Sequence, residues 1–504
     1  MIVPADIRWN KDTEVVVIGY GLAGAVAAVT AKDRVAEVVM LEKQAADSRC
    51  TNSSLSGGLF VNPTDVSGAI KYLKALSGSG DDPPWTDADT IEAWASYACQ
   101  NKQWIQELGG RVKFLRKGGE HPEIPGCDSI EIWQYPGKGL SMMRFMYGQV
   151  DTRGIEILYQ TAAKRLLTNE RGEIIGVKAT STGGGRHQEI YIRARKAVIL
   201  CCGGFEDNEE MKLQYLRVYP VYFNGEGMGN TGDGIKMAQE VGADMWHMNC
   251  CSAGLVSKFP EFPMAFWIDL CEGESSRRRL ATPGQKAAAG FITVDRHGLR
   301  YMNENFKVHA AWYQLAAFDS DRFEYPRVPS YHIFDQRRID YGPVARMSGP
   351  AGPHQIYHWS KDNSAELRRG WILHDDTLTG LAGQIGIPAL ALEDTVQTWN
   401  NRCREGKDPE HGRVLADLVP IDRPPYYAIK VFPGGPNTQG GPKRNARAQV
   451  VNPFGEPVRR LYAAGECGSI YGMLYPSGGA NLAECIAFGR IAGENAASEP
   501  RLPR

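Results

Sequence analysis

The stretch EVVVIGYGLAG, residues 14–24, constrains the fold of this chain more than any other. A short β-branched run leads into Gly19, Gly21 and Gly24, which have the spacing G-x-G-x-x-G, and the residues that follow suit a helix. Gly19 permits a tight turn, Gly21 lets the backbone approach a pyrophosphate, and Gly24 lets the helix pack closely on the strand. Because the N–H groups of a helix N-terminus favour phosphate, the stretch predicts a nucleotide-binding β-α-β unit.

An acidic residue completes this unit. Residues 25–33 predict its helix and residues 35–43 its second strand, and Glu42 lies where a carboxylate can bind a ribose diol. A carboxylate at this position disfavours a 2′-phosphate, so FAD or NAD is expected rather than NADP. The predicted cofactor contacts within the unit are Gly19, Gly21, Leu22, Ala23, Gly24, Glu42 and Lys43.

The rest of the chain divides into two kinds of sequence. Buried-strand patterns that run into glycines recur at 196–208 and 458–468, and a glycine turn followed by a helix is predicted at 229–243. From residue 258 to 425, prolines, aromatic residues and charges are dense and this pattern does not recur. We predict an α/β fold with two domains: a Rossmann-like domain formed by residues 1–257 and 426–504, and a smaller domain formed by residues 258–425.

Composition limits the class of ligand. The net charge of −1 provides no long-range field for nucleic acid or an anionic membrane, so we expect a small-molecule substrate. The eleven cysteines form no C-x-x-C motif, which favours reduced thiols and no metal, iron–sulfur or haem centre. With no run of about 18 apolar residues, and no signal-peptide pattern in MIVPADIRWNKDTE, we predict a cytoplasmic protein without a membrane span.

Several motifs together resemble the FAD-dependent flavoproteins grouped with fumarate reductase and the 3-ketosteroid dehydrogenases. Besides the glycine motif they include SSLSGG (53–58), GLRYMNE (298–304), AAGECG (463–468) and YPSGGANLAE (475–484). The resemblance implies a Rossmann-like FAD-binding domain interrupted by a smaller α+β capping domain, with the flavin ring between them. It covers residues 14–60, 196–208, 229–243, 296–304 and 426–493.

The resemblance also implies further contacts to FAD. Glu466 would bind the ribitol or ribose region, the loop at residues 56–58 would pass near the flavin, and Asn481 and Leu482 would approach its pyrimidine edge. The start of a helix at GGANLAEC is independently a favourable place for the negative charge of a reduced flavin. The additional predicted cofactor contacts are Ser54, Ser56, Gly57, Gly58, Gly203, Gly204, Asp233, Glu466, Asn481 and Leu482.

Two arginines of the carboxylate-reducing members have no counterpart in the matching motifs. One is expected a few residues after the N-E pair, where this chain has Val308, and the other two residues before Gly-Gly, where it has Pro476. Arginine binds a carboxylate through two parallel charge-assisted hydrogen bonds, which neither replacement can form. A dicarboxylate substrate is therefore disfavoured, and Lys307 is the remaining candidate for holding an acidic one.

Tyr475 is the main catalytic candidate. By resemblance to the ketosteroid dehydrogenases it would transfer a proton or polarise a 3-keto oxygen, with Ser477 and the N–H of Gly479 as auxiliary donors. A phenol with an ordinary pKa of about 10 is a proton donor at neutral pH, whereas as a base it would need activation by a neighbour.

A second tyrosine of the ketosteroid dehydrogenases has no match just after the N-E pair. His309 and Tyr313 are the nearest candidates, and on a helix they would share a face at i and i+4. His247 is interpreted as structural. The aromatic runs at 259–267, 310–318 and 354–359 suit either the wall of an apolar pocket or the core of a small domain.

The sequence therefore predicts an FAD-dependent oxidoreductase that acts on a carbon–carbon bond conjugated to a ketone in a bulky cyclic substrate. Hydride would pass between flavin N5 and the β-carbon, a proton would pass through Tyr475, and the electron donor or acceptor would be external. The direction, desaturation or reduction, stays open. The alternatives are a reductase of an unsaturated carboxylic acid and a flavin-binding redox subunit without enzymatic activity.

Overall fold

The structure is a computed structural model that describes residues 7–78, 84–185, 187–227, 229–268, 270, 290–304, 308–345 and 357–503. Lys307 lies outside these residues, as does part of the aromatic run at 354–359. The strands, in chain order, are β1 Lys11–Ile18, β2 Val38–Leu41, β3 Leu59–Val61, β4 Lys113–Lys117, β5 Glu131–Gln134, β6 Glu156–Leu158, β7 Thr161–Thr168, β8 Ile174–Ser181, β9 Gln188–Leu200, β10 Tyr222–Phe223, β11 Met245–Trp246, β12 Cys251–Ser257, β13 Phe266–Trp267, β14 Phe291–Val294, β15 Ser330–Asp335, β16 Leu373–Asp375, β17 Tyr426–Thr438, β18 Gly441–Pro442, β19 Gln449–Val451 and β20 Pro457–Ala463.

Helices connect these strands along the described residues. The α-helices are Leu22–Asp33, Asn52–Leu55, Val66–Ser77, Ala88–Ala98, Asn101–Glu107, Lys138–Thr152, Glu209–Tyr215, Asp233–Glu240, Gln336–Tyr341, Ser364–Arg368, Leu378–Ile385, Ala389–Glu405 and Ala480–Ser498. Short 3₁₀-helices span Cys127–Ser129, Gly183–Gly185, Val308–Gln314 and Leu415–Asp417. None of the helices in the described ranges is both long and apolar enough to cross a membrane.

The first sheet has the strand order β19-β20-β9-β1-β2-β6 and contains the predicted β-α-β unit. Strands β20, β9, β1, β2 and β6 are parallel to one another, whereas β19 pairs antiparallel with β20, and the antiparallel strands β7 and β8 extend the sheet beside β9. Val15, Val16 and Val17 of β1 are fully buried, as expected for a parallel strand covered on both faces. The helix begins at Leu22, three residues before the predicted start, so its N-terminus lies directly at the glycine turn.

Two helices pack against each other on one face of this sheet. They are Leu22–Asp33 and the C-terminal helix Ala480–Ser498, and their contact face consists largely of alanine and glycine. A Cβ atom on Gly489 would lie 2.9 Å from Cβ of Val26, so the two backbones can approach this closely only because the position is glycine. This close packing fixes the start of the C-terminal helix relative to the glycine turn of residues 19–24.

The second sheet has the order β13-β12-β17-β15-β14, with β10 and β16 also paired to β17. β12 and β17 come from the segments assigned to the first domain, whereas β14 and β15 come from residues 258–425. The long strand β17 therefore joins sequence from both sides of the predicted boundaries. The division at residues 257 and 426 stays a prediction.

A third sheet, β3-β5-β4, brings a distant loop to the C-terminal motif. The backbone N–H of Glu120, in the loop after β4, donates to the carbonyl of Pro476 at 3.0 Å. The Tyr72 hydroxyl donates to the same carbonyl at 2.9 Å, and the His121 ring lies 3.1 Å from the carbonyl oxygen of Tyr475. These bonds hold the loop of residues 475–479 against residues 116–121.

Candidate active site

The three glycines of the first motif occupy different surroundings. A Cβ atom on Gly19, where φ is +101°, would lie 2.3 Å from the carbonyl oxygen of Cys201, and one on Gly24 would lie 2.0 Å from the carbonyl oxygen of Gly19. At Gly21 the nearest atom is Oγ of Ser53, 3.7 Å away. Gly19 and Gly24 are therefore required by packing, whereas Gly21 faces open space of the kind that a pyrophosphate needs.

A cleft with an empty volume of about 810 Å³ opens at this turn. Its wall includes nine of the predicted cofactor contacts: Gly19, Gly21, Leu22, Ala23, Glu42, Lys43, Gly203, Asp233 and Glu466. The predicted contacts outside its wall are Gly24, Ser54, Ser56, Gly57, Gly58, Gly204, Asn481 and Leu482. Lining residues that sequence analysis missed include Tyr20, Gln44, Thr51, Asn52, Ser53, Thr161 and Asn230.

The serines near residue 54 illustrate the limit of motif reasoning. Ser54 is buried and its hydroxyl forms a capping box with Thr51, so it serves the short helix Asn52–Leu55. Its neighbour Ser53 lines the cleft and accepts the N–H of Leu22 at 3.2 Å. The sequence predicted Ser54 and Ser56 as cofactor contacts, whereas the serine of this segment that lines the cleft is Ser53.

Glu42 is fixed at the edge of the cleft. Its two carboxylate oxygens accept the backbone N–H groups of Tyr20 at 3.0 Å and Gln44 at 2.8 Å. Each oxygen keeps lone-pair capacity for a second donor, which a ribose diol can supply. Lys43 and Asp233 form an ion pair at 2.7 Å across the cleft wall, and Lys43 also donates to Thr231.

Two side chains with buried polar atoms, Glu466 in the cleft wall and Asn481 outside it, test whether the residues present fit a flavin. Burial, together with the neighbouring Glu206 carboxyl, raises the pKa of Glu466 well above its ordinary value, so this side chain can donate as well as accept. Asn481 donates to Asn437 at 2.8 Å, and its Oδ1 atom finds no donor among the described residues. Because buried polar atoms are normally hydrogen-bonded, these groups fit the polar ribityl chain and ring edge of FAD.

The C-terminal helix Ala480–Ser498 has Gly479 as its N-cap residue, where φ is +97° and no side chain of the N-cap residue can accept a helix N–H. A Cβ atom there would lie 2.7 Å from the backbone of Leu59, so this position also requires glycine. The helix N-terminus offers a partial positive charge next to Asn481. This arrangement suits the place where negative charge develops on a cofactor or substrate.

Tyr475 lies at the same helix start. Its hydroxyl oxygen accepts the backbone N–H of Asn481 at 2.8 Å, and none of the described residues accepts the hydroxyl proton. The ring centroid lies 4.8 Å from that of His309 and 5.6 Å from that of Tyr471. Burial raises the pKa of Tyr475 above its ordinary value, so the phenol keeps its proton and is a better hydrogen-bond donor than base.

Glu120 is a site residue that sequence analysis missed. Its Oε1 atom lies 2.6 Å from Nδ1 of His309 and accepts the backbone N–H of Gly478 at 2.9 Å. Burial favours a raised pKa for Glu120, but the charge of His309 and the hydrogen bond from it bring the pKa below its ordinary value. Glu120 is therefore an ionised carboxylate beside Tyr475, and no motif in the loop after β4 marks it.

Arg116 lies at the site, although the motifs beside it contain no arginine. Its Nη2 atom donates to Oγ of the fully buried Ser477 at 3.1 Å, while Nη1 donates to the carbonyl of Gly118 at 2.7 Å. The motif before Gly478 contains no arginine, but strand β4 brings one to it. A guanidinium is therefore present at the site, although its neighbour Glu120 balances its charge.

His309 and Tyr313 do not share a face. Residues 308–314 form a 3₁₀-helix, in which three residues complete a turn, so positions four apart point in different directions. His309 faces Tyr475, whereas the ring of Tyr313 packs on Trp312 and beneath Arg217. His247 is buried, with Nδ1 2.7 Å from the carbonyl oxygen of Ser469 and Nε2 2.6 Å from that of Trp85, and the cysteines among the described residues are free thiols.

The fold and the cleft define a dinucleotide-dependent enzyme, and comparison with known proteins gives the family. Residues 14–482 match the FAD binding domain family, so the chain belongs to it and uses FAD. It is an FAD-dependent oxidoreductase of the group that contains both ketosteroid dehydrogenases and fumarate reductases.

Similar curated proteins include members with different substrates. Digoxin reductase of Eggerthella lenta is 27% identical over 99% of this chain and 89% of that protein, and urocanate reductase of the same species is 26% identical over 97% and 75%. The 3-oxosteroid 1-dehydrogenase of Mycobacterium tuberculosis is 30% identical over 67% and 59%. The crystal structure of 3-ketosteroid Δ1-dehydrogenase from Sterolibacterium denitrificans matches with a TM-score of 0.80 and 22% identity, covering 97% of this chain and all of that one, which shows the fold.

Proposed function

We propose that this protein makes or breaks a carbon–carbon double bond conjugated to a ketone in a bulky cyclic substrate, such as a 3-ketosteroid or a similar polycyclic ketone. The observation that carries the proposal is the buried phenol of Tyr475, held by the N–H of Asn481 with its own proton still available. A fixed donor of this kind stabilises the enolate charge that develops on a ketone oxygen. The 3-oxosteroid 1-dehydrogenase among the relatives supports this choice.

Charge at the site favours a neutral substrate over an acid. Glu120 is ionised, and its Oε1 atom occupies the N–H of Gly478 that a substrate carboxylate would need. A second carboxylate beside Glu120 would be repelled, because the charges of His309 and Arg116 already act on the Glu120 carboxylate. A ketone needs only the hydroxyl of Tyr475 and adds no charge.

The residues of this chain then have separate tasks. The cleft from Gly21 to Glu466 holds the cofactor, and FAD would supply the hydride donor or acceptor at N5 of its ring. Tyr475 donates a hydrogen bond to the substrate carbonyl, and Arg116 orients Ser477 beside it. The helix start at Gly479 adds the positive end of a fixed dipole. The electron carrier is proposed to be external.

One observation favours a second candidate, reduction of an unsaturated carboxylic acid. The guanidinium of Arg116 lies at Ser477, where it is a candidate for binding a carboxylate. Urocanate reductase is among the relatives with nearly full coverage of the chain. In this second candidate function, Arg116 would either give up its hydrogen bond to Ser477 or bind both Ser477 and the substrate carboxylate.

Anaerobic reoxidation of the reduced holoenzyme separates the candidates. The flavin absorbance is followed after mixing with 2-cyclohexenone, 4-androstene-3,17-dione, fumarate, urocanate or cinnamate, and the oxidised enzyme is mixed with the corresponding saturated ketones. The proposal predicts a response to ketones in at least one direction and none to acids. Reoxidation by an acid alone supports the second candidate, and no response to any compound indicates a redox subunit without a substrate of this type.

A further inference from the structure

We propose that His309 is the residue that moves the proton at the substrate α-carbon and that Glu120 positions it. The inference rests on the proposed function, in which Tyr475 serves the carbonyl oxygen and retains its own proton. Such a reaction needs a second group for the α-carbon. The geometry of three side chains, those of Tyr475, His309 and Glu120, indicates that this second group is His309.

The contact with Glu120 determines which nitrogen of His309 is available. An ionised carboxylate has no proton to donate, so at the 2.6 Å contact Nδ1 carries the hydrogen and Glu120 accepts it. Nε2 is then the atom that gains and loses a proton. None of the described residues forms a hydrogen bond with Nε2, so this nitrogen is available for a substrate.

The ring is also in the right place. His309 lies with its centroid 4.8 Å from that of Tyr475, and a Cβ atom on Gly478 would lie 3.8 Å from Cε1 of His309 with no closer atom. A Cβ atom there would be in ordinary van der Waals contact with the ring, so the His309 ring borders the 475–479 loop beside Tyr475. A substrate whose carbonyl oxygen reaches the hydroxyl of Tyr475 would present its α-carbon on this side.

Glu120 is held as firmly as the ring that it orients. Its Oε1 atom accepts from both His309 and Gly478, and its backbone N–H donates to Pro476. Glu120 and His309 are 189 positions apart, and their side chains are 15% and 16% exposed. A structural tie between two segments would not require an ionised acceptor on Nδ1 and an Nε2 atom that none of the described residues binds.

The proton step balances in both directions. In reduction, hydride adds to the β-carbon, the π electrons move to the α-carbon and carbonyl oxygen, and the α-carbon takes the Nε2 proton of the imidazolium, which leaves neutral imidazole. In desaturation, the Nε2 lone pair takes the α-proton while the β-carbon loses hydride. In both, the Nδ1–H bond to Glu120 persists and the carboxylate stabilises the imidazolium.

Hydrogen–deuterium exchange at the α-carbon tests the proton step separately from hydride transfer. Oxidised holoenzyme is incubated anaerobically with 4-androstene-3,17-dione in D₂O, and deuterium next to the carbonyl is measured by mass spectrometry. We expect His309→Gly to slow exchange by about 10² to 10⁴-fold. Added imidazole should restore at least part of it. Glu120→Gln, which still accepts the N–H of Gly478, should lower kcat by at least about tenfold with little change in KM.

Controls distinguish this role from a structural one. FAD content and melting temperature report folding of each variant, and the exposed residues His374 and Glu107 give matched controls, His374→Gly and Glu107→Gln. Nitrogen-15 histidine spectra provide a readout without turnover: wherever the His309 ring of the wild type is neutral, its proton should be on Nδ1, with the signal assigned by its absence in His309→Gly. Equal exchange in wild type and folded His309→Gly, or an Nε2–H tautomer, overturns the inference.

Failure of the proposed function gives a different pattern. If the wild-type enzyme exchanges no α-hydrogen of the ketone for deuterium but reduces urocanate or cinnamate, the ketone assignment fails. The same variants are then compared on that acid. A loss in His309→Gly with imidazole rescue then still supports the proton role. Equal rates in wild type and folded His309→Gly overturn the proton role of His309.

Discussion

The phenol oxygen of Tyr475 lies 2.8 Å from the backbone nitrogen of Asn481 and accepts its N–H. This bond joins the two halves of the YPSGGANLAE stretch, because Tyr475 has the proposed substrate role while Asn481, whose Oδ1 finds no donor among the described residues, is a predicted contact of the flavin. The same helix start thus positions a donor for the carbonyl and a contact for the cofactor. Loss of the phenol hydroxyl should therefore impair chemistry more than FAD binding.

Gly21 and Gly24 should respond differently to alanine. Gly21→Ala adds a Cβ atom in open space, so the protein should fold with an unchanged melting temperature but bind FAD at least about tenfold more weakly. Gly24→Ala places Cβ 2.0 Å from the carbonyl oxygen of Gly19, and this overlap should exceed the gain of about 1 kcal/mol in helix propensity. Fluorescence titration with FAD and thermal denaturation check both; normal FAD affinity in Gly21→Ala would contradict this account of the cleft.

Arg116→Met separates an orienting role from a carboxylate clamp. If Arg116 only supports Ser477, kcat/KM for a cyclic ketone should fall by less than about tenfold, because the donor to the carbonyl remains. If it clamped a substrate carboxylate, the loss on an unsaturated acid would be about a hundredfold or more. Steady-state kinetics on both substrate classes distinguish the two roles. A hundredfold loss of kcat/KM on the ketone would mean that Arg116 does more than orient Ser477.

Tyr313→Phe should leave turnover within about twofold of wild type, because its ring lies under Arg217 and not at Tyr475. His309 and Tyr313 therefore have unequal roles despite being equal candidates by position. Parallel assays of the two variants check this. A loss of about a hundredfold in Tyr313→Phe with normal FAD content would show that its hydroxyl reaches the substrate.

His332 should contribute a pH-dependent part of the stability. It is buried beside Thr293, with its Nδ1 atom 2.9 Å from the hydroxyl, and burial lowers its pKa from 6.5 to about 3. The unfolded chain therefore takes up a proton below pH 6.5 while the folded chain does not, so stability is full above that pH and is lost as pH falls toward 3.

The slope from this one group approaches about 1.4 kcal/mol per pH unit. His332→Gln should remove it, which gives a flatter curve of unfolding free energy against pH across this window, even if the variant is less stable overall. Urea denaturation at several pH values measures the curve. An unchanged slope would mean that His332 is protonated in the folded protein.

The cofactor end of the molecule was predictable because its chemistry is local in sequence. Gly19, Gly21, Gly24 and Glu42 lie within one β-α-β unit, where spacing alone determines which backbone positions crowd and which stay open. The start of the C-terminal helix was predictable for the same reason. Choosing Ser53 over Ser54 required knowing which hydroxyl caps the short helix.

The substrate end was less predictable because its charged residues arrive from elsewhere in the chain. Arg116 is 361 positions from Ser477, and Glu120 is 358 positions from Gly478, so neither appears in a motif beside its partner. YPSGG itself contains no arginine, but the folded protein brings Arg116 to Ser477 of this motif. The 3₁₀ geometry of residues 308–314 likewise cannot be read from a spacing that suits an α-helix.

The most direct measurement is the single-turnover rate of the reduced holoenzyme with a cyclic enone, compared between wild type and Tyr475→Phe. The substitution removes the hydroxyl that serves the carbonyl and keeps the buried ring, so FAD content should stay normal while the rate falls by about 10² to 10³-fold. The oxidised enzyme with the saturated ketone is measured alongside, because the direction is open. A Tyr475→Phe variant that binds FAD and reacts with the ketone or enone at the wild-type rate would contradict the account.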